Sequence, residues 1–316
     1  MRKTATPELS VVIPVYNERG NLALLHKELK TALQGLKRSY EVIYIDDGST
    51  DGSLAELKEL KGATIIELNR NYGQATALDA GFKAAEGDIV VSLDADGQND
   101  PADIPALIAI LESGTCDVVA GWRKSRKDNS RIKLITLSAR LLRRLFIGDI
   151  VHDSGCTLRV YRSAAVKSLD IGGEMHRFIL ALLKWKGFTV CEMVVNHRPR
   201  INGVSKYGSG KAVRGLIDLI YIWFIHKYSQ RPLHLFGYMS IGAFALGIVA
   251  SAWSLYGKLF LGLSLNRNGW FFLAFFFLLA AIMLFSFGII MDLLIKTQLT
   301  LSPHEKRYHV RRVIKT

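Results

Sequence analysis

Two carboxylates separated by one residue are the most chemically informative feature of this sequence. Asp94 and Asp96 directly follow an apolar run, Ile89–Leu93, with the length and composition of a buried strand. Side chains at i and i+2 of a strand point to the same side, so these two carboxylates would repel each other. Mg²⁺ or Mn²⁺ relieves such repulsion and shares its remaining ligand positions with phosphate oxygens. The pattern indicates metal-assisted nucleotide chemistry, although a polar loop after a strand has the same spacing.

The first half of the chain alternates short apolar runs with amphipathic stretches. This alternation is typical of an α/β domain with a mostly parallel sheet and helices on both faces, where ligands lie beyond the carboxyl ends of the strands. Polar residues follow four of the predicted strands, at Asn17–Glu18, Asp46–Asp47, Asn69–Gln74 and Asp94–Gln98. The strands are predicted at Ser10–Tyr16, Tyr40–Asp46, Thr64–Leu68, Ile89–Leu93 and Val118–Gly121. The helices are predicted at Asn21–Leu36, Ser53–Leu60, Ala75–Ala85 and Ile104–Leu111.

Two long apolar runs distinguish the second half. Leu233–Tyr256 and Trp270–Ile295 lack Lys and Arg, and each is long enough as a helix to cross a hydrocarbon core of ~30 Å. We predict two transmembrane helices, preceded by an interfacial helix over Lys211–Tyr228. No secretory signal is recognised near the N-terminus, and basic residues flank the spans on their outer sides. We therefore expect the residues before the spans and both termini to be cytoplasmic.

The charge balance favours anionic partners. The formal net charge is +13, and basic residues are concentrated beside the membrane elements, including a basic amphipathic segment over about 131–147. An anionic membrane face or a phosphate-bearing substrate fits this placement better than nucleic acid. Cys116, Cys156 and Cys191 are widely spaced, so we predict neither a disulfide framework nor a zinc site, as in a reducing compartment.

Several motifs carry a family resemblance. Val11–Glu18, Asp46–Ser49 and Asp94–Gln98 resemble the inverting family-2 glycosyltransferases, which have the GT-A fold. Asn69–Gln74, Asp153–Cys156 and Arg200–Lys206 look like the polyprenyl-phosphate glycosyltransferase branch. The layout implied is a GT-A domain over residues 1–207, an interfacial segment over 208–232, and two spans with a basic tail over 233–316.

The resemblance implies roles for the residues that match. Asp96, Asp153 and Arg200 would be catalytic, with Asp153 orienting a partner or serving as a base. A divalent cation, Mg²⁺ or Mn²⁺, would be held by Asp94, Asp96 and Gln98. The acceptor phosphate would contact Arg123 and Arg131. The donor nucleotide would contact Pro14, Tyr16, Glu18, Asp46, Gln74, Asp94, Ala95, Arg200 and Lys206, the last two from a loop that closes over its phosphates.

The implied reaction is transfer of a sugar from a UDP- or GDP-sugar to undecaprenyl or dolichyl phosphate, with inversion. It would take place at the cytoplasmic face of a bacterial or archaeal inner membrane, in a homo-oligomer by analogy with tetrameric relatives. A processive polysaccharide synthase is one alternative, although the Gln-x-x-Arg-Trp motif of that class does not occur. A non-catalytic nucleotide-binding membrane scaffold is another, and the intact acidic and arginine motifs argue against it.

Overall fold

The protein divides into two compact units in the computed structural model. The first contains Met1–Leu219 together with Lys306–Thr316, and the second contains Ile220–Glu305. The residues that the structure describes are 6–124, 142–144, 146–148, 151–199, 211–228, 231–265, 268–301 and 308–316.

One mixed sheet organises the described part of the first unit. Its eight strands lie in the order β7-β5-β6-β4-β1-β2-β3-β8. The four central strands, from β4 to β3, are mutually parallel, whereas β6 and β8 are antiparallel to their neighbours. The strands are β1 (Leu9–Val15), β2 (Tyr40–Asp46), β3 (Thr64–Leu68), β4 (Ile89–Ser92), β5 (Val118–Trp122), β6 (Arg159–Arg162), β7 (Val190–Val194) and β8 (Val310–Lys315).

Helices cover the sheet where the sequence predicts them. The first four are α1 (Leu22–Gln34), α2 (Ser53–Glu59), α3 (Gln74–Ala84) and α4 (Ile104–Glu112). Two short helices follow, α5 (Ser163–Lys167) and α6 (Ile179–Trp185), and α7 (Lys211–Tyr228) matches the predicted interfacial segment. The predicted strands and helices thus agree with the observed ones to within two residues at each end, because each has a periodic apolar pattern and a clear turn after it.

Close packing of α3 against the sheet sets the position of its first residue. A Cβ atom on Gly81 would lie 2.3 Å from Val12 Cγ1 and 2.6 Å from Ile45 Cδ1, so only glycine permits this approach. The start of α3 is Gln74, next to the loop that follows β4. A glycine in the middle of a helix therefore helps to hold Gln74 beside the carboxylates of that loop.

The C-terminal strand was not predicted. The sequence analysis assigned this segment to a basic tail, whereas Val310–Lys315 pairs antiparallel with β3. The side chain of Glu67 on β3 is almost fully buried, and Arg311 and Arg312 both form ion pairs with it. A buried carboxylate is costly without cationic partners, so the two arginines fasten the tail to the sheet. Residues before and after the apolar helices thus share one domain.

The second unit contains two helices that are long and apolar enough to cross a membrane, judged by length and composition. They are α8 (Pro232–Phe260) and α9 (Gly269–Leu301). In the most apolar stretch of each helix, only 17% is buried within the protein. A buried hairpin in a soluble core would show far more burial. The helices meet through small residues such as Gly247 and Ala250, and the Ser240 hydroxyl donates to the Ala281 carbonyl over 2.7 Å. Close small-residue contacts are typical of helices in lipid.

One cysteine expectation was wrong. Cys116, just before β5, and Cys191 on β7 form a disulfide, and their Cα atoms are 5.9 Å apart. The sequence separation is 75 residues, so the pairing depends on the lateral contact of β5 with β7, which spacing along the chain does not reveal. Cys156 is a buried free thiol.

Candidate active site

A cavity of about 390 Å³ opens where the four central parallel strands end. The loops after β1, β2, β3 and β4 all contribute to its wall, as expected for the carboxyl edge of a parallel sheet. The lining residues are Pro14, Val15, Tyr16, Glu18, Asp47, Asn71, Gly73, Gln74, Ala77, Asp94, Ala95 and Asp96. Six of these residues were predicted as donor-binding residues, and Asp46 is the one described residue of that predicted set that is not among the lining residues.

The two carboxylates of the Asp94–Asp96 motif share this cavity. Gln74 Nε2 donates to Asp94 Oδ1 over 2.7 Å, and the Gln98 backbone N–H donates to Asp96 Oδ1 over 3.1 Å. Burial and, next, the charge of Asp96 raise the pKa of Asp94 to about 6. Two crowded carboxylates of this kind fit a divalent cation, which would relieve the repulsion that raises this pKa.

Few of the described side chains are placed to act as ligands for a cation. In the described part of the chain, no group of three or more His, Cys, Asp or Glu side chains is placed to hold a metal ion. Gln98 is not one of the described residues lining the cavity, and its observed contribution is through its backbone. Mg²⁺ usually takes one or two protein carboxylates and fills its other positions with water and phosphate oxygens. Asp94 and Asp96 fit that pattern.

Asp46, a predicted donor contact, is not among the residues that line the cavity. It is the last residue of β2, and its buried side chain accepts from the Ser49 N–H over 3.3 Å. Its neighbour Asp47 lines the cavity and accepts from the N–H groups of Tyr72 (2.7 Å) and Gly73 (2.9 Å). Asp46 stays a predicted donor contact, whereas Asp47 is the neighbour that lines the cavity.

The loop after β2 packs tightly against the loop after β3. Gly48 has a φ of +71°, and a Cβ atom there would lie 2.6 Å from the Arg70 carbonyl carbon and 2.7 Å from the Asn71 nitrogen. Glycine is therefore required both for the left-handed conformation and for the space. The contact holds the Asn69–Gln74 motif against the cavity.

The loop after β1 is held by residues that follow β2. The Glu18 N–H donates to Ser53 Oγ over 2.8 Å, and Asn17 Oδ1 accepts from the Thr50 N–H over 2.8 Å. Tyr16 retains 37% of its surface exposed at the cavity. An exposed phenol ring on a braced loop can stack on a nucleobase.

Arg123 and Asp153 form a two-pronged ion pair close to this cavity. Arg123 Nε and Nη2 donate to Asp153 Oδ2 and Oδ1 over 2.7 and 3.0 Å, and both side chains are more than four-fifths buried. Burial alone would raise the pKa of Asp153, but the hydrogen bonds and charge of Arg123 hold it below its ordinary value. Asp153 is therefore ionised and a weak proton acceptor near neutral pH. The charge of Arg123 also acts on Asp94.

Three residues that the sequence analysis did not assign to the site hold the Asp153–Cys156 loop. The buried Arg159 donates to the carbonyls of Ser154 (2.7 Å) and Cys156 (2.8 Å), and Arg143 donates to Ser154 Oγ. The third residue is Glu192, on β7, which accepts from the His152 N–H over 2.8 Å. A lone acidic residue within the apolar run Val190–Val194 was the signal available for Glu192.

Several predicted residues lie outside the described residues, namely Arg131, Arg200 and Lys206. Most of the basic segment over 131–147 does so too. The described residues just before Arg200 contact the Asp94–Gln98 loop, since the Arg198 N–H donates to the Gln98 carbonyl over 2.9 Å. Asn99 and His197 also form an antiparallel bridge.

Comparison with known proteins identifies the family of this chain. Residues 10–170 match the family model described as glycosyl transferase family 2. Dodecaprenyl-phosphate galacturonate synthase of Rhizobium johnstonii is 34% identical over 92% of this chain and 88% of its own length. Undecaprenyl-phosphate 4-deoxy-4-formamido-L-arabinose transferase of Pseudomonas paraeruginosa is 34% identical over 89% of this chain and 83% of its own. The chain therefore belongs to glycosyltransferase family 2.

Solved structures support the fold. Glucosyl-3-phosphoglycerate synthase from Mycobacterium tuberculosis, crystallised with Mn²⁺, UDP and its product, superposes with a TM-score of 0.54. The match covers 69% of this chain and 80% of that one at 20% identity, so it bears on the fold alone. The first unit has a GT-A-like fold, and the protein is a glycosyltransferase.

Proposed function

We propose that this enzyme transfers a sugar from a nucleoside diphosphate to a polyprenyl phosphate, with inversion at the anomeric carbon. The observation that carries the proposal is that two cavity carboxylates and an arginine–carboxylate ion pair lie near each other in one domain. Asp94 and Asp96 face the cavity, and the Arg123–Asp153 pair is close enough for its arginine to act on Asp94. The two curated relatives, whose names specify dodecaprenyl and undecaprenyl phosphate, support the acceptor class.

The cavity is proposed as the donor half of the site. Tyr16 would stack on the base, while Asp94 and Asp96 would hold Mg²⁺ or Mn²⁺ against the diphosphate. A bound divalent cation supplies a Lewis acid that neutralises charge developing on the leaving nucleoside diphosphate. Gln74 keeps Asp94 oriented through its 2.7 Å hydrogen bond. Arg200 and Lys206 stay proposed contacts to the donor phosphates, from the sequence motif.

The acceptor half consists of Arg123, Asp153 and the residues that hold them. Arg123 would bring the acceptor phosphate beside the donor, since a guanidinium matches phosphate geometry and offsets repulsion between two anions. Asp153 would orient Arg123 and not act as a base, because its pKa is lowered. Arg131 is a further proposed acceptor contact, from the sequence.

The acceptor phosphate is its own nucleophile in this proposal. With a second pKa near ~6, a phosphate monoester is largely dianionic at neutral pH. One of its oxygens forms a bond to the anomeric carbon from the face opposite the diphosphate. The bond from that carbon to the diphosphate oxygen breaks, and its electron pair leaves with the nucleoside diphosphate, so configuration inverts.

The proposed location is the cytoplasmic face of a bacterial or archaeal inner membrane. Because the chain returns to its sheet as β8 after α8 and α9, two crossings would return it to the side from which it left. Basic residues on that side support the cytoplasmic assignment. A polyprenyl phosphate is confined to the bilayer, so this anchorage would raise the encounter rate. A homo-oligomer is part of the proposal, by analogy with relatives.

Product analysis tests the proposal directly. Purified enzyme is incubated with undecaprenyl phosphate and a panel of labelled UDP- and GDP-sugars that includes galacturonate and 4-formamido-arabinose donors. Mg²⁺, Mn²⁺ and EDTA are compared. We expect one glycolipid carrying a single sugar, formed only with the metal present. A polymer product, or no transfer from any donor, would contradict the proposed function.

A further inference from the structure

The side chain of Glu192 holds the loop that carries Asp153 from a strand that lies 39 residues further along the chain. Glu192 Oε1 accepts from the backbone N–H groups of His152 (2.8 Å) and Asp153 (3.3 Å). His152 Nδ1 lies 2.8 Å from Glu192 Oε2. A carboxylate can only accept, so Nδ1 carries the proton in this contact. Three hydrogen bonds thus end on one largely buried side chain.

The same loop is connected to Arg123 in two ways. The His152 ring stacks on Trp122, the residue before Arg123, with centroids 4.3 Å apart and planes 18° from parallel. Asp153 accepts from the Arg123 backbone N–H over 3.3 Å in addition to the two side-chain bonds. Because β5 pairs with β7, Glu192 is fixed in the strand beside the one that leads to Arg123.

We propose that Glu192 is a positioning residue for the acceptor half of the site. It touches neither proposed substrate but fixes the backbone from which Asp153 orients the Arg123 guanidinium. A two-pronged pair needs both planar groups aligned, so a shift of the His152–Asp153 loop would turn Arg123 away from the acceptor phosphate. This inference rests on the proposed function, since it assumes that Arg123 binds the polyprenyl phosphate.

Replacing Glu192 should weaken the binding of one substrate only, the polyprenyl phosphate. In Glu192→Ala, we expect undecaprenyl phosphate to bind roughly tenfold to a hundredfold more weakly, the range for a displaced positioning group. Binding of UDP with Mn²⁺ should be unchanged, because the cavity walls come from other loops. Both dissociation constants are measured on the full-length protein in detergent, by titration calorimetry, so the result does not depend on knowing the sugar.

Two variants separate positioning from general destabilisation. Glu192→Gln keeps an oxygen that can accept from the two backbone N–H groups, and it should restore most of the acceptor affinity. Asp117→Ala is the matched control, because Asp117 accepts from Thr189 N (2.9 Å) and Oγ1 (2.7 Å) between the same two strands at their opposite end. It should lower the melting temperature without changing acceptor affinity.

The outcomes are distinct. If the wild type binds UDP with Mn²⁺ but no undecaprenyl phosphate, the proposed acceptor is wrong, and the inference falls with it. If the wild type binds both, and Glu192→Ala binds undecaprenyl phosphate as tightly, only the positioning role is overturned. Equal weakening of both ligands in Glu192→Ala would also overturn it, because the change would then be general.

Discussion

The walls around Asp94 and Asp96 come from four parallel strands, whereas the surroundings of Arg123 come from the mixed part of the sheet. In the donor half, each functional loop directly follows a strand, so a motif and its position lie together in the sequence. In the acceptor half, Arg123 follows β5, Asp153 precedes β6, and Glu192 lies on β7. In a parallel sheet, the loops that follow the strands all lie at one edge. The acceptor half depends instead on one particular strand order.

The largest predicted effect tests the donor half. Asp96→Ala should lower sugar transfer by about a thousandfold, because loss of a metal ligand removes several kcal/mol of charge stabilisation on the leaving group. Initial rates over a Mn²⁺ titration measure it, with the exposed Asp88→Ala as the control. Since Asp96 lies in the donor half, binding of undecaprenyl phosphate should persist. Unchanged turnover in Asp96→Ala would remove the metal assignment.

Arg123→Lys should lower kcat/KM for undecaprenyl phosphate by about a hundredfold. Lysine keeps the charge but cannot make the two-pronged contact with Asp153 or with a phosphate, and transition-state charge contacts of this kind are worth ~10²–10³ in rate. The expected signature is a raised KM for undecaprenyl phosphate with an unchanged KM for the donor. Arg162→Lys on β6 is a matched control. A donor-specific defect in Arg123→Lys would assign the arginine to the other half.

Replacing both Arg311 and Arg312 with Met tests whether β8 supports the donor half. The change leaves the buried Glu67 carboxylate without these two partners, which should cost about 3–5 kcal/mol of unfolding free energy. Since the Asn69 N–H donates to the His309 carbonyl over 3.2 Å, donor affinity should fall more than acceptor affinity. Denaturant unfolding and the binding of UDP and of undecaprenyl phosphate are the measurements.

Adding Glu67→Gln to those two substitutions should recover part of the stability, because it removes the buried charge that they leave unpaired. Lys315→Met, on the same strand, should have little effect. If the triple variant is less stable than the double one, the ion pairs are not what fastens β8 to the sheet.

The smallest predicted effect distinguishes an orienting Asp153 from a general base. The pKa of Asp153 lies below its ordinary value of 3.8, so this group stays ionised from pH 5 to 8. Transfer should instead fall as the pH drops below about 6, where the acceptor phosphate and Asp94, whose pKa is about 6, both gain a proton. Asp153→Asn should be slower throughout and keep the same pH midpoint, measured from initial rates. A midpoint that moves in Asp153→Asn would show that Asp153 accepts a proton.

Most of the donor half could be predicted because its signals are local. Strand β4 ends at Ser92, and the two carboxylates follow within four residues at the expected edge of the sheet. Asp47, which lines the cavity, was not among the predicted donor contacts, since the face of β2 that turns towards the cavity depends on tertiary packing. Of the acceptor half, Arg123 and Asp153 were predicted from motifs, but their direct pairing and the support from Arg159 and Glu192 were not.

The sequence by itself determined the alternation of strands and helices, the loops that carry chemistry, and the two apolar helices, because each is a pattern within about thirty residues or fewer. Only the tertiary structure decided that β8 closes the sheet beside β3, that Cys116 meets Cys191, and that Glu192 holds Asp153. These contacts join residues that are 39 or more positions apart. Their free energy depends on lateral strand order and burial, which no local pattern records.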